Sequence, residues 1–596
     1  MKRKRPLLIK KEEGYLLTWE EDPSSSVILK GEFGPAEDSP KAPLTSPTLL
    51  LNATFFSEEE LLALALSEKG RFEENFFKTY EIDTRKEPVA IVSNNPTKLQ
   101  KFLETYGGLF KARAFCLRKN PDFPLIEDLT IAYEAGAYLF SYLFWAPVDE
   151  EKCLSCGLCG RSCPKEAISP GPRIDVSRCD FCRTCEKVCP SGAIDLFRYE
   201  TREESFSRVV FLEEVPEGIS RKKGRLFGPE ELEEFFGSLG RFEISEVVRF
   251  QDGRCQFVPR FGSGCLLCLQ SCPKEALEIT EKGLKIDHFL CKECGSCVAR
   301  CPTGALEFAP FDDRGFFSYL AGLPSLEGRV VVIGTEEELA RFFWHPSYPE
   351  EGDFFFLAHG APASLGPEKL LSLLAKGARN IVFLSEAPED YEFTNEILER
   401  LFRVRPIAKL QREEFKEKFS RLSPVKISLK ALPAFKGRRA YFRDLLYQFW
   451  LLAEKPAFAL PARDFGWLEI APSSCTLCLA CLNECHTEAL KADPQRLALT
   501  FEPALCVGCG ICEEICPEKA LRLEKTLRLD ENFFEKLTLQ QDEPVFCRRC
   551  GKYFGTRKSQ EKVRNTLADL GRFNNMLSLL DYCEDCRVKE IFEEEE

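Results

Sequence analysis

The sequence has few of the features on which most enzymes build an active site. It contains 4 histidines among 596 residues. No G-x-G-x-x-G or Walker pattern follows any of its strand-like segments, so nucleotide binding lacks its usual phosphate-binding backbone. We also find no flavin or pterin motif and no nucleophile constellation. These absences argue against a self-contained active site, although they do not decide whether the chain is an enzyme.

Excess positive charge and long apolar runs are also missing. Lys and Arg number 81 against 95 Asp and Glu, a net charge of −14, which disfavours binding to nucleic-acid phosphates. The longest apolar run, AYLFSYLFWAPV at 137–148, is too short to span a bilayer. The basic start, MKRKRPLLIKKEEG, has too short an apolar stretch for a signal peptide. We therefore expect a cytoplasmic protein with no transmembrane segment and no nucleic-acid partner.

Cysteine, in contrast, is abundant: the chain has 29, bunched at short fixed spacings. Such clusters in a large chain without an export signal bind metal more often than they form disulfides. Six copies of one pattern, each closed by Ala and then Ile or Leu, account for most of them: 153–168, 179–194, 262–277, 291–306, 475–490 and 506–521.

Four copies read C-x2-C-x2-C-x3-C-P in full, and two depart from it. The copy at 475–490 has His486 in place of the proline, and the copy at 262–277 has Gly262 in place of the first cysteine. In this pattern three thiolates hold one iron–sulfur cubane and the fourth ligates a second cluster. The copies pair as 153–194, 262–306 and 475–521, and the stretches between paired copies have room for a hairpin or short turn.

At CLSCGLCGRSCPKEAI and its copies the sequence resembles the bacterial two-[4Fe–4S] ferredoxin family. The resemblance implies crossed ligation between the two copies of each pair. It gives five complete ligand sets: Cys153, Cys156, Cys159 and Cys189; Cys179, Cys182, Cys185 and Cys163; Cys291, Cys294, Cys297 and Cys272; Cys475, Cys478, Cys481 and Cys516; and Cys506, Cys509, Cys512 and Cys485.

The sixth site has only Cys265, Cys268 and Cys301. Cys255 lies ten residues before Cys265, and the intervening QFVPRFGSG contains Pro and Gly, so it can fold back as a loop. We predict that Cys255 supplies the fourth ligand. Two alternatives remain open, a three-iron cluster and a cubane with one open iron that binds substrate. For His486 we expect an exposed turn residue, with a hydrogen-bond donor that raises one cluster's potential as the alternative.

The C-terminal region carries a different pattern, two C-x2-C pairs formed by Cys547 with Cys550 and Cys583 with Cys586. Two such knuckles around a helical insert, KSQEKVRNTLADL, are typical of a structural four-thiolate zinc site. Mononuclear iron and a seventh cluster are the alternatives. Cys116 is the one cysteine outside all these sets, and we expect it to be buried by packing.

Strand–helix–strand patterns at 88–115 and 329–385 indicate βαβ units with parallel strands. The segment HGAPASLGPEKLLSLLAKGARNIVFLSE resembles the small iron–sulfur subunit of viologen-reducing hydrogenases, without that family's cysteines. We therefore expect a degenerate scaffold layer, with a flavin or effector pocket as the alternative. His359, which follows a strand, is the one candidate polar group there, although a loop histidine without a role fits as well.

The predicted fold class is a mixed α+β and α/β multidomain chain, in which three bicluster ferredoxin-like modules are embedded in degenerate βαβ layers with a small zinc-knuckle tail. The predicted boundaries are an N-terminal α/β domain with a Pro/Ser-rich loop (1–147), module 1 (148–200), an α/β connector (201–252), module 2 with the atypical site (253–310), an α/β scaffold (311–425), a connector (426–467), module 3 (468–528) and the tail (540–596).

Over its full length the arrangement resembles a family of bacterial multi-cluster ferredoxin-type proteins associated with molybdenum enzymes such as formate dehydrogenases. The tail, FCRRCGKYFGTR…YCEDCRV, and the ten-residue offset before Cys265 are the most specific matches. The resemblance implies about six [4Fe–4S] clusters that exchange electrons with a partner oxidoreductase. An iron–sulfur subunit with its own catalytic site and a redox-sensing or assembly factor are the alternative functions.

Overall fold

The computed structural model describes residues 6–11, 14–19, 22–30, 52, 56–73, 78–120, 122–134, 137–169, 171, 173–343, 353–411, 413–419, 421–570 and 574–593. The chain divides into two compact units. The smaller unit comprises 78–245 and 278–281, and the larger unit comprises 1–77, 246–277 and 282–596.

A four-stranded parallel sheet forms the centre of the smaller unit. Its strands lie in the order Leu226–Phe227, Arg208–Phe211, Pro88–Ser93 and Lys111–Cys116. The helix Pro96–Tyr106 connects the last two in sequence; Pro96 opens it, and the Asn95 side chain accepts a hydrogen bond from the Lys98 N–H. This start combines a preset backbone angle with a side-chain cap. The helix Leu232–Gly237 comes after the strand Leu226–Phe227 in the sequence.

The apolar run at 137–148 folds as a strand rather than a helix. Ala137–Trp145 lies between Ile126–Glu134 and Tyr199–Phe206 in an antiparallel sheet. Alternate residues Tyr138, Phe140 and Tyr142 are buried, as expected for a sheet with one face on a core. A further antiparallel pair joins Thr79–Asp83 to Arg241–Ser245.

A second parallel sheet organises the larger unit, with strands ordered Phe354–Ala358, Val330–Gly334, Asn380–Phe383 and Ile407–Lys409. The first three are buried along their whole length, which matches their near-continuous apolar sequences. The helices around this sheet are Glu58–Glu73, Asp313–Gly322, Glu336–Phe343, Pro367–Ala375, Tyr391–Phe402, Phe415–Phe419 and Arg438–Leu452.

The three modules share one pattern of short elements. In module 3 the strand before the first repeat, Trp467–Ile470, pairs antiparallel with Leu521–Glu524 after the second, and the hairpin Leu490–Asp493 with Ala498–Phe501 lies between the repeats. In module 2, Val248–Phe250 pairs in the same way with Leu306–Phe308. In module 1 a bridge between Val148 and Ile194 takes this place, and the hairpin is Ile168–Ser169 with Arg173–Ile174.

The remaining strands are short or lie at the ends of the chain. They are Pro6–Lys11, Gly14–Trp19, Asp22–Lys30, Phe257–Val258, Ser263–Gly264, Leu277–Thr280, Gly283–Ile286, Phe458–Pro461, Thr526–Leu529, Leu537–Gln541, Pro544–Phe546 and Tyr553–Thr556. Asp22–Lys30 pairs with Gly14–Trp19, so the part of the expected Pro/Ser-rich loop that is described is a strand. The rest of that loop, 31–47, lies outside the described residues.

Candidate metal centres

Each cysteine repeat contains one short helix, which carries the cysteine at the third cysteine position of the pattern. These helices are Leu158–Arg161, Thr184–Val188, Leu267–Gln270, Ser296–Ala299, Ala480–Asn483 and Ile511–Glu514. The two helices of each module pack against each other. The packing brings the two repeats of each pair together, as crossed ligation would need.

A left-handed residue precedes the helix in every complete repeat: Gly157, Arg183, Gly295, Leu479 and Gly510. Backbone of this kind turns successive N–H groups toward one concave side, where they bind negative charge. In the atypical repeat the corresponding residue, Leu266, has φ −121°. The loop that lacks the first cysteine therefore also lacks this turn.

Backbone N–H groups reach the sulfur of the first cysteine in four repeats. The donors lie two residues after it: Ser155 to Cys153 and Phe181 to Cys179 at 3.4 Å, Glu293 to Cys291 at 3.4 Å, and Gly508 to Cys506 at 3.5 Å. Such bonds favour the thiolate over the thiol and tune a metal bound to it.

The recurring alanine also takes part in hydrogen bonds to cysteine sulfurs. Its N–H donates to the sulfur of the fourth cysteine in four repeats: Ala167 to Cys163 at 3.4 Å, and Ala193 to Cys189, Ala276 to Cys272 and Ala520 to Cys516 at 3.3 Å. All six alanines are at most 3 % exposed. These four repeats therefore have a small, buried side chain beside the sulfur of the fourth cysteine. The sequence showed the repeated alanine, but the cysteine spacing did not indicate this role.

Three of the predicted ligand sets each line a single pocket. Cys153, Cys156, Cys159 and Cys189 surround a cavity of about 290 Å³. Smaller pockets lie among Cys475, Cys478, Cys481 and Cys516, and among Cys485, Cys506, Cys509 and Cys512. In every case the fourth thiol comes from the other repeat of the pair.

The thiols of two further sets are close enough to influence one another's ionisation. Burial raises the pKa of Cys179, and the neighbouring Cys163 and Cys182 thiols add to the effect. Burial likewise raises the pKa of Cys297, with added effects from Cys291, Cys272 and Cys294. All-sulfur donor sets with N–H groups directed at the sulfurs fit iron–sulfur clusters, which thiolates hold.

At the atypical site the structure brings Cys255 close to Cys265, Cys268 and Cys301. Burial raises the pKa of Cys265 to about 12, and the thiols of Cys301, Cys509 and Cys255 act in the same direction. Burial also raises the pKa of Cys268, again with contributions from Cys301 and Cys255. The residues between Cys255 and Cys265 fold back as the antiparallel pair Phe257–Val258 and Ser263–Gly264.

Two adjacent buried arginines, which sequence reasoning missed, hold the backbone of two modules. Arg438 Nη1 donates to the carbonyls of Val298, at 2.6 Å, and Cys301, at 2.7 Å, and its Nε donates to Asp313 Oδ2 at 2.8 Å. Arg439 donates to the carbonyls of Ala504 and Cys506.

These arginines begin the helix Arg438–Leu452, so one helix start contacts module 2 and module 3. Asp313 also pairs with Lys369 Nζ at 3.0 Å. The only signal in the sequence was a doubled arginine at the start of an apolar connector.

The tail brings its four cysteines together. The ligand atoms of Cys547, Cys550, Cys583 and Cys586 all lie within 4.8 Å of one another. Cys547 and Cys550 lie in the turn between the strands Pro544–Phe546 and Tyr553–Thr556, and Cys586 lies on the helix Glu584–Glu593. Four convergent thiols fit the tetrahedral geometry of zinc.

The segment between the two cysteine pairs of the tail contains the helix Arg557–Asp569. Val563, Leu567 and Leu570 recur at helical spacing there, but Val563 and Leu570 are exposed, so this side does not pack into a core. The helix instead contacts module 3 through Lys558 Nζ, which donates to the Pro472 carbonyl at 2.8 Å, and Lys562 Nζ, which pairs with Glu518 at 2.9 Å.

His359 is 1 % exposed, and its ring lies against Phe308 and Phe311. Burial holds its pKa well below the ordinary value, so the ring is neutral at pH 7. Its Nδ1 accepts a hydrogen bond from the Ala361 N–H at 3.0 Å. Cys116 is buried and accepts one from the Asn120 side chain at 3.1 Å. None of the helices in the described ranges has the length and apolar character to cross a membrane.

Family models match five of the six repeats. A family model described as a 4Fe-4S dicluster domain matches residues 263–305, and one described as a 4Fe-4S binding domain matches 146–169, 172–195 and 499–522. The chain thus contains several ferredoxin-type domains within a mixed helix and strand fold.

Similar proteins include subunits of oxidoreductases. The NADH-quinone oxidoreductase subunit I 2 of Streptomyces coelicolor is 31% identical over 14% of this chain and 52% of its own length. A tetrathionate reductase subunit of Archaeoglobus fulgidus is 42% identical over 9% of this chain and 28% of its own. The chain thus spans less than two thirds of either relative.

An uncharacterized ferredoxin of Methanocaldococcus jannaschii is 32% identical over 8% of this chain and 74% of its own length. The chain belongs to the ferredoxin-type iron–sulfur proteins.

Proposed function

We propose that this protein is an electron carrier that holds six [4Fe–4S] clusters, two in each module. The ligand sets are the five crossed sets given above and a sixth formed by Cys255, Cys265, Cys268 and Cys301. Such clusters take up and release single electrons at potentials set by burial and by hydrogen bonds to sulfur. The observation that carries the proposal is the convergence of thiols from paired repeats, with backbone N–H groups directed at their sulfurs.

The four thiol sets of the larger unit form one series, which supports passage of electrons along it. Cys301 of the atypical set adds to the pKa shift of Cys297 in the other set of module 2. The Cys509 thiol of module 3 likewise contributes to the raised pKa of Cys265. The Cys481 thiol contributes to the raised pKa of Cys512 in the other set of module 3. At each junction, including the one between modules 2 and 3, thiols of neighbouring sets are therefore near enough to influence each other's ionisation. The two sets of module 1 belong to the smaller unit.

Cys255 is the proposed fourth ligand of the atypical site, in preference to a three-iron cluster or an open iron. Its proximity to the other three thiols supports this choice. Four thiolates close the coordination of the cluster, which also speaks against substrate binding there. For the tail we propose zinc, because four converging thiols at C-x2-C spacing suit a structural site.

We further propose that the partner is an oxidoreductase in the cytoplasm, of the formate dehydrogenase kind. The acidic composition favours a partner with a basic docking patch. The sequence has no flavin, pterin or nucleotide-binding motif and no nucleophile constellation, which favours a carrier over a catalytic subunit.

The test is an anaerobic pull-down followed by redox-titrated EPR of the purified protein. The carrier function predicts cluster signals that appear on reduction and disappear when the captured oxidoreductase and its oxidised substrate are added. Turnover of a substrate by the purified chain with no partner present would favour a catalytic subunit instead.

A further inference from the structure

The loop that replaces the missing cysteine of module 2 is fixed in place by module 3. We call residues 256–264 the insert. It folds back on itself, so that the Cys265 N–H donates to the Gln256 carbonyl at 2.9 Å. This return brings Cys255, which immediately precedes the insert, beside Cys265. Within module 2 the Cys255 N–H donates to the Asp252 carbonyl at 2.9 Å, and module 3 adds further contacts to Cys255 and the insert.

His486 of module 3 contacts Cys255 directly. Its Nδ1 lies 2.8 Å from the Cys255 carbonyl oxygen. A carbonyl only accepts hydrogen bonds, so Nδ1 carries the proton and donates. The bond fixes the backbone of Cys255 from outside module 2.

Glu484 of module 3 holds the insert at two further points. Its carbonyl accepts a bond at 3.2 Å from the side-chain amide of Gln256, which is 2 % exposed. Its carboxylate pairs with Arg260. The Gln256 oxygen in turn lies 3.9 Å from the Cys509 sulfur of module 3. A buried amide N–H costs free energy when it lacks a partner, so the bond from Gln256 to the Glu484 carbonyl favours this docked position of the insert.

The two departures from the repeat pattern thus meet in space. The repeat that lost its first cysteine takes Cys255 instead, and the repeat that lost its proline has at that position the histidine that binds Cys255. In the other five repeats the position of His486 is proline, a residue whose side chain cannot donate a hydrogen bond.

We propose that His486 is a positioning residue for the neighbouring module: it holds Cys255 where it ligates the atypical cluster, which is therefore completed by the docking of module 3. The inference rests on the proposed function, because it requires a cluster at this site. It predicts that loss of the His486 bond leaves the three other thiols in place and loosens the fourth. Such a site retains three irons and releases one.

The variant that tests this is His486→Pro, which restores the residue found in the other repeats. The turn accepts it, because all six repeats close with the same bond three residues on; here the Glu488 N–H donates to Cys485 at 2.9 Å, and in the next repeat Lys519 donates to Cys516 at 3.1 Å. His486→Asn, whose amide N–H lies near the position of Nδ1, is the conservative partner. Pro517→His is the matched control for a His–Pro exchange in the same module.

The measurement is the EPR signal of a three-iron cluster after brief exposure of anaerobic protein to ferricyanide, with iron and sulfide counted per chain. We expect His486→Pro to give a three-iron signal approaching one per chain and to lose about one iron per chain. His486→Asn and Pro517→His should match the wild type. Gln256→Leu, which removes the second tie to module 3, should shift in the same direction as His486→Pro.

Two results separate the inference from the function on which it rests. A fully iron-loaded His486→Pro protein that shows no more three-iron signal than the wild type overturns the inference and leaves the carrier function standing. A wild-type protein with zinc in place of iron and no acid-labile sulfide overturns the carrier function, and the inference with it.

Discussion

Replacing Arg438 by Met should destabilise the larger unit strongly, because this buried side chain serves two purposes. It is 3 % exposed and donates to the carbonyls of Val298, Cys301 and Leu306, and it pairs with Asp313 through two nitrogens. Methionine fills a similar volume without charge or donors. The variant therefore leaves the Asp313 carboxylate paired with Lys369 and removes the arginine's hydrogen bond from each of the three carbonyls.

The expected cost follows from these contacts. Breaking a buried ion pair by removing one partner costs about 3–5 kcal/mol. We expect the lower half of that range, about 3–4 kcal/mol, since Lys369 remains at 3.0 Å from Asp313. At about 1.4 kcal/mol per tenfold, the opening equilibrium should rise by about 100- to 1,000-fold.

The cost should be measured locally, as the rate of amide hydrogen exchange detected by mass spectrometry. A local measurement is needed because a chain with two compact units is not expected to unfold in one step. Peptides that cover 296–306 should exchange faster by that factor. Arg443→Met on the same helix is the control, since Arg443 is partly exposed and pairs with Asp444 and Glu502; it should cost about 0–1 kcal/mol. Equal, small effects of the two substitutions would refute our account of Arg438.

Three further predictions follow from other parts of the structure. His359 is buried with a pKa well below 6.5, so its contribution to stability is complete above about pH 6.5 and falls by about 1.4 kcal/mol per pH unit below it. In His359→Phe the protection of amides in 354–364, measured by hydrogen exchange and corrected for intrinsic rates, should depend less on pH between 7 and 5, and an unchanged dependence would contradict this. Cys255→Ser should convert one cluster to a three-iron form by EPR, while Cys116→Ser keeps all its iron; equal iron contents in the two would count against Cys255 as a ligand. Cys583→Ser should lose the proposed zinc and make 544–593 sensitive to protease at unchanged iron content, and retention of zinc would exclude the four-thiol site.

Much of the molecule's local structure could be predicted from the sequence. The strands around 88–115 and 329–385 appear as parallel sheets, because β-branched and aromatic runs alternating with amphipathic helices have few other solutions. The crossed pairing of the thiols was implied by the resemblance to two-cluster ferredoxins, and in three cases the structure places the four cysteines of a predicted set around one pocket. These predictions could be made because they rest on residues that are close together in the sequence.

Contacts between distant segments could not be predicted in this way. Arg438 and Arg439 act on carbonyls more than 60 residues away, and a doubled arginine carries no mark of which backbone it will meet. The contact between His486 and Cys255 likewise depends on how two modules dock. Val563, Leu567 and Leu570 show a different limit: they recur at helical spacing, yet Val563 and Leu570 are exposed. Spacing alone does not say whether an apolar stripe meets a core.

The most direct test of the central claim is the metal and sulfide content of the protein purified without oxygen. Six four-iron sets and one tail site predict about 24 iron, about 24 acid-labile sulfide and about one zinc per chain. Protein that contains mostly zinc, with almost no acid-labile sulfide, would contradict the electron-carrier account.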